Sequence, residues 1–167
     1  MSYLFIVLSY LIGSLNFAYI VAKYKQLDIS SSGSGNPGTS NVMRTIGKKY
    51  AAIVLIGDVL KGFLPIYLFD ENLLLCGFAA VIGHIFPIFY KFKGGKGVAT
   101  SFGVILAFDI ILGFICLLTW LITAFLFRYS ALSAIVSFAL LPIYSWFSYE
   151  KIITTSLFLI LAIIVIY

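Results

Sequence analysis

Ile110-Ile-Leu-Gly-Phe-Ile-Cys-Leu-Leu-Thr-Trp-Leu-Ile-Thr-Ala-Phe-Leu-Phe127 carries no charge from end to end. A bilayer's hydrocarbon core, about 30 Å thick, needs about 20 apolar residues of helix to cross it, so this stretch reads as a membrane span. Working outward, further apolar runs fall at Tyr3–Ala22, Ala51–Phe69, Leu73–Tyr90, Ala131–Trp146 and Ile152–Tyr167, with a shorter one at Val98–Phe108. The chain of 167 residues is 62% apolar and only 10% charged, where soluble domains have about 45–50% and about 25%. So few charges could not cover so much apolar surface, and so much Leu, Ile, Val and Phe excludes disorder. The mean hydropathy of +1.12 agrees. Period-two alternation is absent, and lipid tolerates no unpaired backbone. The expected fold is therefore all-α, a polytopic membrane protein of seven helical segments in one domain, residues 1–167.

The charges orient it. Lys23, Lys25, Arg44, Lys48 and Lys49 follow the first span, Lys91, Lys93 and Lys96 the third, and Arg128 the Ile110–Phe127 span. The opposite connections hold Asp70, Glu71, Asp109 and Glu150, with Lys151 as their sole cation. Nine basic residues against one, under the positive-inside rule, place the N-terminus outside and, with seven crossings, the C-terminus in the cytoplasm. Met1 to Tyr10 lacks a basic region ahead of its apolar residues, so the first run reads as a retained span rather than a signal peptide. The net charge of +5 is spread between spans rather than clustered on a soluble face, which argues against nucleic acid as a partner. Cys76 and Cys116 read as small buried hydrophobes, Trp120, Trp146 and the tyrosines as interface or packing residues, and a single histidine, His84, excludes a histidine-rich metal cluster. No metal or cofactor is implied.

Two polar, glycine-rich stretches interrupt the apolar sequence, both on the basic side. The first runs from Ser30 to Arg44 and contains Gly33-x-Gly35-x-x-Gly38. That spacing matches a dinucleotide fingerprint, but it follows a membrane helix rather than a strand, which rules out a Rossmann reading. Its physical content stands. Glycines let backbone N–H groups converge on an anion, Ser40 or Asn41 can cap a following helix whose N-terminus favours phosphate, and Arg44 offers a planar fork to phosphate or carboxylate. The second, Lys91-Phe-Lys-Gly-Gly-Lys-Gly97, leads into the short Val98 helix. It has no Walker spacing, yet it joins a glycine turn, lysines and a helix start. Lysines alone could anchor the span on anionic lipid, but an anchor does not explain the glycines. Asp58 and Lys61, three apart, share one face of a span. Each would cost about 2.5–3.5 kcal/mol at a helix centre, so the pair should face the bundle, either as a packing ion pair or as part of a site. His84 lies shortly before the lysine loop, readable as a helix contact or as a catalytic base. Two anion-cradling loops on one membrane face, with lipid around them, point to lipid-phosphate chemistry.

Gly33-Ser-Gly-Asn-Pro-Gly-Thr-Ser-Asn-Val-Met-Arg44, Asp58-Val-Leu-Lys-Gly62 and Gly83-His-Ile-Phe-Pro-Ile-Phe-Tyr-Lys-Phe-Lys-Gly-Gly-Lys-Gly-Val-Ala-Thr100 strongly resemble the bacterial acyl-phosphate:glycerol-3-phosphate acyltransferase family (PlsY). The resemblance covers nearly the whole chain in order. It implies a seven-helix enzyme of the bacterial inner membrane with a cytoplasmic active site. It also implies transfer of a fatty acyl group from acyl phosphate to the 1-hydroxyl of glycerol 3-phosphate, giving lysophosphatidate and phosphate, an opening step of phospholipid synthesis. Carried over by motif, it marks Ser34, Arg44 and Lys96 as catalytic. Gly35, Asn36, Gly38, Asn41, Lys93, Gly94, Gly95, Gly97 and Ser130 would bind substrate or phosphate, with Asp58, Lys61 and His84 in support. The H-x-x-x-x-D signature of other glycerolipid acyltransferases is absent, since Phe89 stands five residues after His84.

There are departures from the family pattern. Thr39-Ser40 stands where the family usually has Ala-Thr, and Tyr129-Ser130-Ala131-Leu132 where it tends to have Tyr-x-Ser-Leu. The family's basic tail, with a functional His and Asn, would begin where this chain ends at Tyr167.

An acyl phosphate has a good leaving group, so positioning and charge stabilisation matter more than a powerful nucleophile. The expected mechanism is direct attack without an acyl-enzyme, with a substrate phosphate favoured as base over His84 or Asp58. The rival readings are a small anion or organophosphate transporter, which should show paired halves or matched broken helices, and a truncated membrane subunit without activity.

Overall fold

The computed structural model describes residues 2–69 and 73–166. Asp70 and Glu71, counted above among the acidic connections, lie outside the described residues. Among those described, only helices form: α1 (Ser2–Gly13), α2 (Phe17–Tyr24), α3 (Thr39–Thr45), α4 (Lys48–Leu68), α5 (Leu73–Ile85), α6 (Val98–Phe108), α7 (Ile110–Phe127), α8 (Ser130–Tyr149) and α9 (Ile152–Ile166), plus one 3-10 turn at Ile88–Tyr90. Each apolar run read from the sequence is helical over most of its described residues. Among the described residues, four helical stretches are long and apolar enough to cross a membrane: Tyr3–Tyr24, Lys48–Leu68, Ile110–Phe127 and Ser130–Tyr149. The apolar helices at Leu74–Tyr90, Val98–Phe108 and Ile152–Ile166 are shorter.

Two of the expected runs are interrupted, each for a legible reason. The first breaks at Ser14-Leu15-Asn16, where the buried Asn16 side chain accepts from the Ala18 and Tyr19 N–H groups and starts α2. An amide that caps the next helix competes with continuing the previous one. The third ends α5 before Pro87, whose missing N–H and fixed φ cannot extend a helix. The chain then turns through Ile88–Tyr90 into left-handed Lys91 and Phe92.

Residues up to Val104 pack as one compact unit and those from Ile105 onward as another. In the first, α1 lies against α5, and α4 against α2, α3 and α5. Between helices in lipid there is little hydrophobic drive, so close backbone approach matters. Accordingly, a side chain on Gly13 would collide with the Ala80 backbone, and one on Gly62 with the Thr100 carbonyl. Under the first glycine-rich loop sits a plug of Ala18, Val21, Ala22, Ile29, Val42, Ala51 and Val54. Ile29 is fully buried within an otherwise polar loop and nails it to α2, α3 and α4. In the second unit α8 packs against both α7 and α9. The Ser137 hydroxyl donates to the Cys116 carbonyl at 2.7 Å, and Asp109 caps α7 by accepting from the Ile111 and Leu112 N–H groups. Tyr149 donates its hydroxyl to the same carboxylate. The outward face of α7, including Phe114, Leu118, Leu121 and Phe125, is apolar and exposed, as a lipid-facing helix requires.

Candidate functional site

The first polar loop is folded around one side chain. Asn41, 1% exposed, accepts from the Ser34 N–H at 2.9 Å and donates to the Ser32 carbonyl at 2.9 Å. A side chain at Gly33 would overlap Asn41 Oδ1, and Gly33 and Gly35 both hold positive φ, +60° and +70°. Asn41 thus shapes the loop from within. Ser40 and Asn41, read from the sequence as candidate caps, both lie inside α3 rather than at its N-cap position. The N-cap position falls to Gly38, without a side-chain hydrogen bond, because Asn41 lies inside α3 and turns its amide back to the loop. At seven residues, α3 is also too short to add much dipole. Its contribution is Arg44, in the last turn, whose guanidinium donates to the Ser34 hydroxyl at 3.3 Å. Both side chains are exposed. Upstream, Asp28 accepts from the Ser30 hydroxyl at 2.6 Å and the Ser30 N–H at 2.9 Å. These bonds, the hydroxyl first, hold its carboxyl below the ordinary 3.8.

The second loop lies beside the first. A methyl group added at Gly95 would stand 3.1 Å from the Pro37 carbonyl oxygen, so the Lys93–Gly97 turn meets the Gly33–Gly38 loop. Pro37, flanked by Asn36 and Gly38, therefore lies against the turn that carries Lys93, Gly94, Gly95, Lys96 and Gly97, while Ser34 belongs to the same loop as Pro37 and bonds Arg44. Lys93 and Lys96 are exposed there, while Gly95 and Gly97 are buried. Gly97 has φ +75° and hands the chain into α6. In the first turn of α6, Thr100 and Ser101 bury hydroxyls with no hydrogen-bond partner among the described residues, polar groups that sequence reasoning did not single out. Ser130 belongs to the second unit, where it is the first residue of α8 and exposed.

Behind the loops lies a buried ionic cluster. Lys61 Nζ sits 2.9 Å from Asp58 Oδ1, and the ring of His84 brings Nδ1 to 3.6 Å from the same oxygen. Exposure is 1% for Asp58, 2% for Lys61 and 3% for His84. Lys61 also donates to the Leu15 carbonyl at 2.7 Å, an oxygen freed by the break between α1 and α2. The i,i+3 spacing on α4 announced the Asp58–Lys61 pair. Nothing in the spacing announced that His84, on α5, and a main-chain oxygen would join it. Outside the cluster, Tyr19 stacks on Tyr90 at 4.6 Å, and the Tyr10 hydroxyl donates to the Phe86 carbonyl at 2.8 Å. These contacts tie the Pro87 turn to α1 and α2. Exposed basic and hydroxyl groups above, with a charge-compensated bundle interior below, make an arrangement suited to gripping anions at a membrane surface.

Comparison with known proteins follows that chemistry. The family described as glycerol-3-phosphate acyltransferase matches residues 3–167. A glycerol-3-phosphate acyltransferase of Thiobacillus denitrificans is 48% identical over 153 residues, 85% of this chain and 76% of its own. One from Halorhodospira halophila is 44% identical over 168 residues, 96% and 85% of the two chains. Among solved structures, the glycerol 3-phosphate form of PlsY (YgiH), an integral membrane glycerol 3-phosphate acyltransferase, superposes with a TM-score of 0.93 at 33% identity, covering 98% of this chain and 86% of that one. Its lysophosphatidic acid form gives 0.90.

Proposed function

Since the chain belongs to the glycerol-3-phosphate acyltransferase family and is a membrane-embedded transferase, we propose that its acyl donor is acyl phosphate and its acceptor the 1-hydroxyl of glycerol 3-phosphate. The products are 1-acylglycerol 3-phosphate and inorganic phosphate. The observation that carries this reading is the approach of Gly95 to Pro37, which gives two phosphate-bearing substrates two adjoining glycine-rich loops. Arg44, with Lys93 and Lys96, grips the phosphates; the loop glycines Gly35, Gly38, Gly94, Gly95 and Gly97 let backbone donors approach, and Asn36 lies at the same bend. Ser130 is a further phosphate contact on the strength of the family motif alone. The Ser34 hydroxyl, steered by Arg44, bonds near the reacting oxygens.

The acceptor's 1-oxygen attacks the acyl carbonyl carbon, the bond from that carbon to the phosphate oxygen breaks, and the hydroxyl proton passes to a substrate phosphate. The carbonyl's developing negative charge meets fixed donors, where such electrostatic help is most effective. Positioning both substrates makes the attack effectively unimolecular. His84 is enclosed between Asp58 and Gly95 rather than exposed beside Ser34, which favours the phosphate as base. The basic loops face the cytoplasm of a bacterial inner membrane, with the N-terminus outside and seven helical segments crossing. Purified protein given acyl phosphate and glycerol 3-phosphate should produce lysophosphatidate and phosphate in equal amounts. No product would overturn the reading, and an acyl group trapped on Ser34 would overturn direct attack.

A further inference from the structure

Gly95 carries no positive φ, so an alanine could adopt its backbone conformation. What forbids a side chain is space, taken chiefly by His84: a Cβ there would overlap His84 Nε2 and come within 3.1 Å of His84 Cε1, with the Pro37 carbonyl oxygen also 3.1 Å away. The Gly95 N–H donates to the His84 carbonyl at 3.2 Å. A Cβ on Gly94 would strike the carbonyls of His84 and Ile85 and lie 2.6 Å from Pro87 Cδ. The turn carrying Lys93 and Lys96 is thus laid directly on the backbone and ring of His84. The ring's other nitrogen, Nδ1, faces Asp58, which Lys61 holds, and Lys61 is held in turn by the Leu15 carbonyl. A continuous line of contacts runs from the break in the first span, through α4 and α5, to the glycine turn.

We propose that His84 is a positioning residue for acyl transfer: braced by Asp58 and Lys61, its imidazole sets the height and pitch of the Gly94-Gly95 turn and so the reach of Lys93 and Lys96 toward substrate phosphate. This deepens the acyltransferase reading and rests on it. The ring acts as a spacer rather than as a base. It needs to be rigid, buried and correctly oriented, and the ion pair behind it supplies the orientation. Misplacing a catalytic group by about 1 Å can cost on the order of 100-fold in rate, so a spacer of this kind has leverage.

The test is a double-variant cycle on the purified full chain with acyl phosphate and glycerol 3-phosphate, reading kcat and KM for each. Gly95→Ala leaves every buried charge in place and should lower kcat/KM about 10- to 100-fold, mainly through the KM of a phosphate substrate. His84→Asn should do the same, and the two together should cost no more than the worse single, because both act through one turn. The acidic limb of the kcat/KM pH profile should survive in His84→Asn. Losses that multiply, a defect confined to kcat, or disappearance of that limb would each overturn the spacer role. Should His84→Asn fail to fold, Gly95→Ala decides alone: unchanged KM values overturn the proposal. A wild-type protein that makes no lysophosphatidate would instead sink the acyltransferase reading, so the two failures are separable.

Discussion

Asn41 looks, in sequence, like a ligand-binding amide; in the folded loop its oxygen and nitrogen are already engaged by Ser34 N–H and the Ser32 carbonyl. Arg44 is the converse, an exposed fork whose hydrogen bond to Ser34, at 3.3 Å, is long and readily exchanged for a phosphate oxygen. Replacing Arg44 with Ala should lower turnover on the order of 100- to 1,000-fold while the protein still elutes as a folded species in detergent. Arg44→Lys should recover little, since a point charge does not reproduce the two-pronged geometry. An Arg44→Ala enzyme with near-normal turnover would falsify the clamp. Asp28 makes a prediction of a different kind. Its carboxyl is held below the ordinary 3.8 by the Ser30 hydroxyl first, then by backbone and Ser31 bonds. A depressed folded value means that the stabilisation is fully present above the ordinary pKa and is lost as pH falls through the lowered one. The protection of the Ser30 amide against exchange should therefore hold at and above the ordinary carboxylate pKa and fall only in stronger acid. In Asp28→Asn the same amide should show no such acid step.

α4 is the element that carries the interior. Asp58, Lys61 and Gly62 lie along one side of it, the first two gripping each other and the last admitting the Thr100 carbonyl. Removing one member of a buried pair leaves an uncompensated charge, which typically costs about 3–5 kcal/mol. Lys61→Met should accordingly drop the unfolding temperature in detergent, and Asp58→Asn combined with Lys61→Met should recover part of the loss. A double variant no more stable than Lys61→Met would show that the pair is not a unit. The sequence could be read this far because helical spacing is a local property: Asp58 and Lys61 share a face on any α-helix, and the apolar runs announce themselves by length. The breaks were harder to read. Asn16 ends α1 by capping α2, and a capping amide resembles any other polar residue inside an apolar run until its hydrogen bonds are seen. Ile29 and His84 were missed as anchors for a related reason. What each touches comes from another element, and no spacing rule reports it.

For the molecule as a whole, the positive-inside rule predicts a membrane orientation that can be checked in cells. With Cys76 and Cys116 replaced, single cysteines at Ser31 and Lys91 should resist an impermeant thiol reagent in intact cells and react in inverted vesicles; one at Lys151 should show the opposite pattern. Labelling of all three from one side would remove the seven-crossing arrangement, because it would put basic and acidic connections on the same face. The gap between α1 and α2 has its own consequence for how such a protein can change. Lys61 is anchored by a main-chain oxygen at Leu15, whose side chain points outward and is 43% exposed. No codon change can delete a carbonyl, so residue 15 is free to drift among greasy side chains while still holding the lysine. The burden of heredity falls next door, on the asparagine that bends the chain.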